Sequence, residues 1–173
     1  SVAEQSRVWE REGKAMSEDL DHKCYMSAAL KEATKALKTG DIPVGAVAVK
    51  DGKIIARAHN EKEKRGDATA HAELLCLQKA AKKLGTWRLY GVNIYSTLEP
   101  CPMCAGAMVL ARIKNLYYLL ADPKAGAAGS LLNITRNKKL NHRIKTSDLE
   151  DERSKECYRK MLKGFFSELR KRH

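Results

Sequence analysis

Apolar residues in this chain follow two alternating rhythms, a three-and-four-residue spacing and short continuous β-type runs, and that alternation leaves few folds open. From His22 to Thr39 the positions Met26, Ala29, Leu30, Ala33, Ala36 and Leu37 mark one helical face, and Gly40 follows as a stop. Val44–Val49 and Lys53–Ala58 read as strands joined by Asp51-Gly52, a strong hairpin signal. After a polar loop from Asn60 to Asp67, a second helix spans Ala70–Leu84 and ends in Lys82-Lys83-Leu84-Gly85. Val92–Thr97 is a third strand, and Glu99-Pro100 introduces a helix running to Ala111. Ile113–Leu120 reads as a buried strand, Asp122–Gly129 as a Gly-rich loop, Ser130–Thr135 as a short helix and Arg143–Thr146 as a brief strand. A long basic helix, Asp148–Arg172, closes the series with Leu149, Cys157, Met161, Leu162, Phe165, Phe166 and Leu169 near one face. The expected fold is α/β, a three-layer α/β/α sandwich around a five-stranded mixed sheet. Residues 1–21 have mixed charge and little apolar periodicity and read as an N-terminal arm or a poorly packed first helix; residues 22–173 form the one domain.

A length of 173 residues with 43% hydrophobic content supports one core and excludes disordered and collagen-like classes. No apolar run approaches the roughly 20 residues of a membrane span, and Ser1 to Cys24 is charged where a signal peptide is apolar, so a cytoplasmic protein with no membrane partner is expected. The net charge of +12 is unevenly spread: residues 1–23 carry −2, whereas residues 134–173 alone carry +7. A nucleic acid is the natural partner of such a field, and solubility alone is the plainer explanation.

Five cysteines without a secretion signal do not suggest a disulfide framework; the close pair Cys101 and Cys104 suggests a metal or redox site. They sit three apart at a helix start, where both sulfurs can face one point and the helix N-terminus favours thiolates. With His71 at a neighbouring helix start, they make three ligands that suit Zn²⁺ better than Mg²⁺ or Ca²⁺ and leave a fourth position open, as catalytic zinc requires. Cys76 as a fourth ligand would close the site into a structural brace, but it lies five residues beyond His71 and so projects from a different helix face. Cys24 and Cys157 read as buried, inert thiols. Glu73 offers a proton carrier beside the metal, or alternatively a first-turn charge matched to the helix dipole. His71 and Glu73 converge only if both lie in the first turn, because positions two apart point to opposite sides of a regular helix.

His71-Ala72-Glu73 with Pro100-Cys101-Pro102-Met103-Cys104 is the H-x-E…P-C-x-x-C signature of zinc deaminases. From about Met26 to Phe166, through Asp41-Ile42-Pro43-Val44-Gly45, His59-Asn60, Thr97-Leu98-Glu99-Pro100, Asp122-Pro123-Lys124-Ala125-Gly126 and Leu140-Asn141-His142-Arg143, the chain resembles the bacterial tRNA-specific adenosine deaminases of the TadA type. The resemblance implies a cytidine-deaminase-like fold and hydrolytic deamination of adenosine to inosine at the wobble position of the tRNA anticodon. It also implies one Zn²⁺ per subunit on His71, Cys101 and Cys104, with Glu73 shuttling protons from zinc-bound water, and a homodimer acting on the tRNA anticodon stem-loop. By the same resemblance Asn60 hydrogen-bonds the flipped nucleotide, Ile42, Pro43 and Val44 line the purine pocket, and Asp122 sits at the pocket edge. Lys124, Asn141, Arg143, Phe166 and Arg170 match positions near the RNA. Read without the resemblance, Asn60 is a turn residue, Ile42 to Val44 are strand-entry packing, and Phe165-Phe166 are core.

The sequence departs from the family pattern at Ala68, where proline is common, and at Leu119-Leu120, where small residues are common. There are also about three extra residues around Arg153-Ser154-Lys155, and the first 21 have no counterpart in the family. Two other readings compete with it. A free nucleobase or nucleoside deaminase of guanine or cytosine type would share the zinc site but gain little from the charge, and a non-catalytic RNA-binding subunit would keep zinc as a brace.

Overall fold

Asp51 and Gly52 both take positive φ, 49° and 73°, as a tight hairpin turn requires. They fold β1 (Gly45–Lys50) back onto β2 (Lys53–His59). In this computed structural model, which describes residues 2–172 apart from the Trp9 side chain, β3 (Asn93–Leu98) pairs antiparallel with the other edge of β1. β4 (Asn115–Leu120) then joins β3 in parallel and β5 (Lys145–Asp148) joins β4 in parallel, giving the order β2-β1-β3-β4-β5. This is the five-stranded mixed sheet expected from the sequence.

Alternation along the strands assigns the two faces. Val47, Val49, Tyr95 and Leu119 point to one side, where α1 (Val2–Leu37) contributes Met26, Ala29 and Ala33 and α5 (Glu152–Lys171) contributes Tyr158. Ala46, Ala48, Ile94 and Leu116 point to the other side, against Leu75, Cys76 and Ala80 of α3 (Ala72–Leu84) and Met108 and Val109 of α4 (Pro102–Leu110). β1 is therefore covered on both faces, which is why it reads as one apolar run. Gly45 lets α1 lie directly on the sheet: a Cβ there would meet the Ala29 carbonyl oxygen first, then Ala33 N at 2.5 Å and Glu32 Cβ at 2.9 Å.

Several elements differ from expectation. α1 runs unbroken through the expected boundary after residue 21, and all its described side chains from Val2 to Asp21 are exposed. The polar loop holds a short helix, α2 (Lys62–Arg65), whose first turn is capped from a distance: the buried Asp41 accepts from the Glu63 and Lys64 amides at 2.8 and 3.4 Å. Ser130–Thr135 is not a helix; Leu131 N and Leu132 N both turn back to the Gly126 carbonyl, and Ala128 bridges Asn133. α4 begins with Pro102, two residues after Pro100, because Cys101 is extended (φ −70°, ψ 172°) and occupies the cap position. Cys24 and Cys157 are exposed and not buried, since the inward faces of α1 and α5 are taken by Met26, Ala29, Tyr158 and Met161.

Candidate active site

Two helix N-termini meet just beyond the C-terminal end of β3. His71 is the cap residue of α3, extended at φ −79° and ψ 146°, so Glu73 falls in the first turn. That placement meets the condition for their convergence. Asn60, at the exit of β2, fixes this helix start by accepting from the Ala72 amide at 2.7 Å. Cys101 caps α4, Pro102 begins it, and Cys104 follows within the first turn. The positive ends of both helix dipoles thus point at the two sulfurs.

The His71 Nδ1 lies 3.5 Å from Cys101 Sγ and 3.7 Å from Cys104 Sγ. With usual bond lengths to zinc, a tetrahedral centre sets nitrogen and sulfur ligands about 3.6 Å apart, so these residues fit that ion. The three ligand atoms lie within 4.8 Å of one another and form the one such group among the described residues. Cys76 is outside it: fully buried, it turns its thiol toward the Ala56 carbonyl at 3.8 Å, and burial pushes that thiol up. A fourth protein ligand from this cysteine is therefore absent.

Without a metal the cluster shares its protons among its own members. Cys101 is lowered to about 4, first because Cys104 hydrogen-bonds to it and then because His71 does. Cys104 is raised by the same bond and by burial, and His71 is raised by its hydrogen bond to Cys101. Glu73 is 4% exposed and burial pushes its carboxyl up to about 7, while its Oε2 stands 3.9 Å from Cys104 Sγ. A carboxyl balanced at that value both takes and gives protons near neutrality.

These side chains open into a cavity of about 180 Å³ lined by Ile42, Val44, Asn60, Lys62, Leu98, Glu99, Asp122 and Ala125 as well as His71, Glu73 and Cys101. Of the residues expected from the sequence, Ile42, Val44, Asn60 and Asp122 are brought together here. Pro43 is buried between two of them, and its carbonyl accepts from the Tyr158 hydroxyl at 2.8 Å. Lys124 is exposed on the loop that carries Asp122, and its amide donates to the Asp122 carboxylate at 3.0 Å. Asn141 and Arg143 lie elsewhere, at the start of β4 and so at the opposite end of the sheet. Asn141 accepts there from Arg112 at 2.9 Å, and the neighbouring His142 meets the Ile113 carbonyl at 2.7 Å. Phe166 and Arg170 are exposed near the end of α5. Phe165, Leu169 and Arg172 line a groove that adjoins the cavity at Ile42 and Lys62. Lys62 and Glu99 line the cavity without having been singled out. Lys62 lies only two residues past Asn60, whereas Glu99 enters the sequence reading only as part of the Thr97-Leu98-Glu99-Pro100 run that leads into the helix, with no role at the site.

The chain matches the family model for MafB19-like deaminase over residues 20–170. It is 49% identical over 150 residues to a tRNA-specific adenosine deaminase of Bacillus subtilis, covering 86% of this chain and 90% of that protein. It is 42% identical over 146 residues to a tRNA-specific adenosine deaminase of Aquifex aeolicus, covering 84% and 94%. A structure solved in work on A-to-I editing by tRNA:A34 deaminases superposes with a TM-score of 0.74 at 39% identity, covering 79% of this chain and 99% of that one. Guanine deaminase from Bacillus subtilis superposes with a TM-score of 0.58 at 32% identity, covering 80% and 94%. The chain belongs to the MafB19-like deaminase family and, within it, to the tRNA-specific adenosine deaminases.

Proposed function

We propose that the protein hydrolyses adenosine to inosine and ammonia at the wobble position of the tRNA anticodon. The observation that carries this reading is the burial of Glu73 beside the His71, Cys101 and Cys104 cluster, in a cavity that Asn60 and Asp122 also line. One zinc per subunit, held by those three residues, would act as a Lewis acid that lowers the pKa of a water molecule toward 7. Glu73 takes one proton of the attacking water and hands it to the ring nitrogen beside carbon 6, then takes the second from the hydroxyl now on carbon 6 and delivers it to the amino group, which departs as ammonia while the carbonyl of inosine forms. Asn60 turns its Oδ1 to the Ala72 amide, which leaves its NH₂ group to face the base as a donor. N7 of adenine is an acceptor that such a donor can read. Ile42 and Val44 supply the apolar surface for the purine, and Asp122 with Lys124 borders the entrance.

The basic surface suits an anticodon stem-loop in the cytoplasm better than a neutral free base, and the exposed Lys124, Phe166 and Arg170 would extend the contact with RNA beyond the cavity. An apolar face between α3 and α4, lined by Leu77, Trp87 and Leu110, supports a homodimer. Leu110 is 70% exposed and Trp87 55% exposed in the single chain, which is unusual for large apolar side chains grouped together. Asn141 and Arg143, distant from the cavity of their own chain, would meet RNA only outside that cavity. Incubating the zinc-loaded protein with an anticodon stem-loop and mapping inosine by sequencing tests the reading. Inosine confined to the wobble position, with no turnover of free adenine, guanine or cytosine, is expected, and deamination of free guanine alone would overturn it.

A further inference from the structure

Glu99 is a buried carboxylate with no cationic partner. It is 2% exposed, follows β3 directly, precedes Cys101 by two residues, and no ion pair among the described residues reaches it. Buried charges without a counter-ion must be satisfied by hydrogen bonds, and here one loop supplies them all. The Asp122 amide donates to Oε2 at 2.9 Å, and the Ala128 and Ser130 amides donate to Oε1 at 3.0 Å each. The Ser130 hydroxyl adds a bond to Oε2. This is the arrangement by which backbone amides cradle an anion, filled by the protein's own side chain.

The chain is shaped for this contact from the other side as well. Gly126 presses so close that a Cβ would run into the Glu99 carboxylate and would stand 2.5 Å from the Asp122 carbonyl. Its φ is not positive, so the requirement is for space and not for backbone freedom. One more bond ties the loop to the segment bearing Cys101, from Ala127 N to the Pro100 carbonyl at 2.8 Å, and Glu99 N donates at 2.8 Å to the carbonyl of Leu120, where β4 ends. Asp122 then closes its own turn by accepting from the Lys124 and Ala125 amides at 3.0 and 3.2 Å. Asp122 and Ala125 line the cavity together with His71, Glu73 and Cys101. Glu99 stands two residues from Cys101 in the chain and is hydrogen-bonded to the loop that carries Asp122 and Ala125.

We propose that Glu99 is a positioning residue that latches the 122–130 loop into the cavity wall and thereby governs how tightly the substrate nucleotide is held, not the chemical step. The proposal rests on reading the cavity as the nucleotide site, and the experiment separates the two. Glu99→Gln keeps the size but sets an NH₂ against the amide donors of the loop. In the zinc-loaded full chain, KM for an anticodon stem-loop should rise about tenfold while kcat stays within about twofold. Zinc content should be unchanged. Hydrogen exchange should accelerate at the Asp122, Ala128 and Ser130 amides, which requires no substrate. Gly126→Ala pushes on the same contact and should reproduce both effects, and the double variant should be no worse than the poorer single one. Ser130→Ala, which removes only the hydroxyl donor, should give a smaller KM rise and serves if Glu99→Gln does not fold. Unchanged amide exchange, or a fall in kcat with KM unaltered, would overturn the latch. Absence of inosine with the unaltered protein, alongside the expected exchange pattern in the variants, would instead overturn the substrate reading and leave the loop anchor standing.

Discussion

Gly45→Ala is the substitution through which the contact between α1 and the sheet is most directly measured. The added methyl would collide with the Ala29 carbonyl and stand 2.5 Å from Ala33 N, both backbone atoms that cannot rotate aside. Restoring an ordinary contact of 3.4 Å at Ala33 N alone requires α1 to retreat by about 1 Å, and at the nearer Ala29 oxygen by more, which forfeits at least a quarter to a half of the dispersion energy along the seam. Ala29 and Ala33 are fully buried on that seam, so the loss is not compensated by new contacts. Overpacking of this kind costs about 1–3 kcal/mol, and the backbone partners place the cost near the upper end. Reduced freedom of the unfolded chain returns about 0.4–1 kcal/mol. The net destabilisation is about 2 kcal/mol, equivalent to a fall in Tm of about 4–8 °C for a chain of this length. Urea and thermal denaturation of the zinc-loaded protein would measure it. Gly164→Ala, in α5 with nothing within 4 Å of the added methyl, should stabilise by about 0.5–1 kcal/mol and is the control. A Gly45→Ala protein as stable as the parent would refute the argument that α1 rests on β1 through this glycine.

Three further outcomes are expected. The Glu73 carboxyl lies at about 7 in the folded metal-free protein and near 4.5 when unfolded, so its contribution is fully present below pH 4.5 and is lost as pH rises through 7. Glu73→Gln should therefore gain stability over the parent in metal-free urea titrations at pH 8 and lose that advantage at pH 4.5; a gap independent of pH would count against a buried, raised carboxyl. Tyr158→Phe leaves the Pro43 carbonyl without its buried donor and should cost about 1–2 kcal/mol in urea denaturation, and a change below about 0.3 kcal/mol would show that water replaces the bond. Leu110→Glu should shift the protein to monomer in sedimentation velocity if the α3–α4 face is the dimer contact, and an unaltered sedimentation coefficient would place the contact elsewhere.

Local signals carried most of the fold because they are local in cause. Asp51-Gly52 accepts positive φ without help from the rest of the chain, and Pro102 and Gly85 mark helix ends by their own backbone preferences. The cluster of His71, Cys101 and Cys104 was legible for a related reason: each stands at a helix start that the neighbouring residues specify. What the sequence hid depends on partners far away in the chain. α2 has only four residues and its cap, Asp41, lies 22 residues before the amide it receives. The segment after Gly129 reads as helical from its own residues, yet its amides are claimed by Gly126 and Glu99. Cys24 and Cys157 belong to helices with apolar faces, but each helix turns a different arc inward. Glu99 looks like a residue that merely precedes a helix until the 122–130 loop is seen folded over it.

α1 joins two unlike materials in one continuous rod. Its 36 residues extend about 54 Å, and the docked part begins at His22, whose Nδ1 meets the buried Tyr95 hydroxyl at 2.7 Å. Beyond that point every described side chain toward the N-terminus is exposed, and those turns are held by backbone hydrogen bonds and pairs such as Lys23 with Asp19. Helices pay a high cost to nucleate and little to extend, so the docked turns act as a permanent seed from which the free turns grow. Order in the projecting half is then a one-dimensional equilibrium, gained and lost turn by turn outward from the docked seed, while the domain below unfolds as a unit. Heating should dissolve the outer turns first without a cooperative transition, and the part of the chain that carries the cavity would not register the loss.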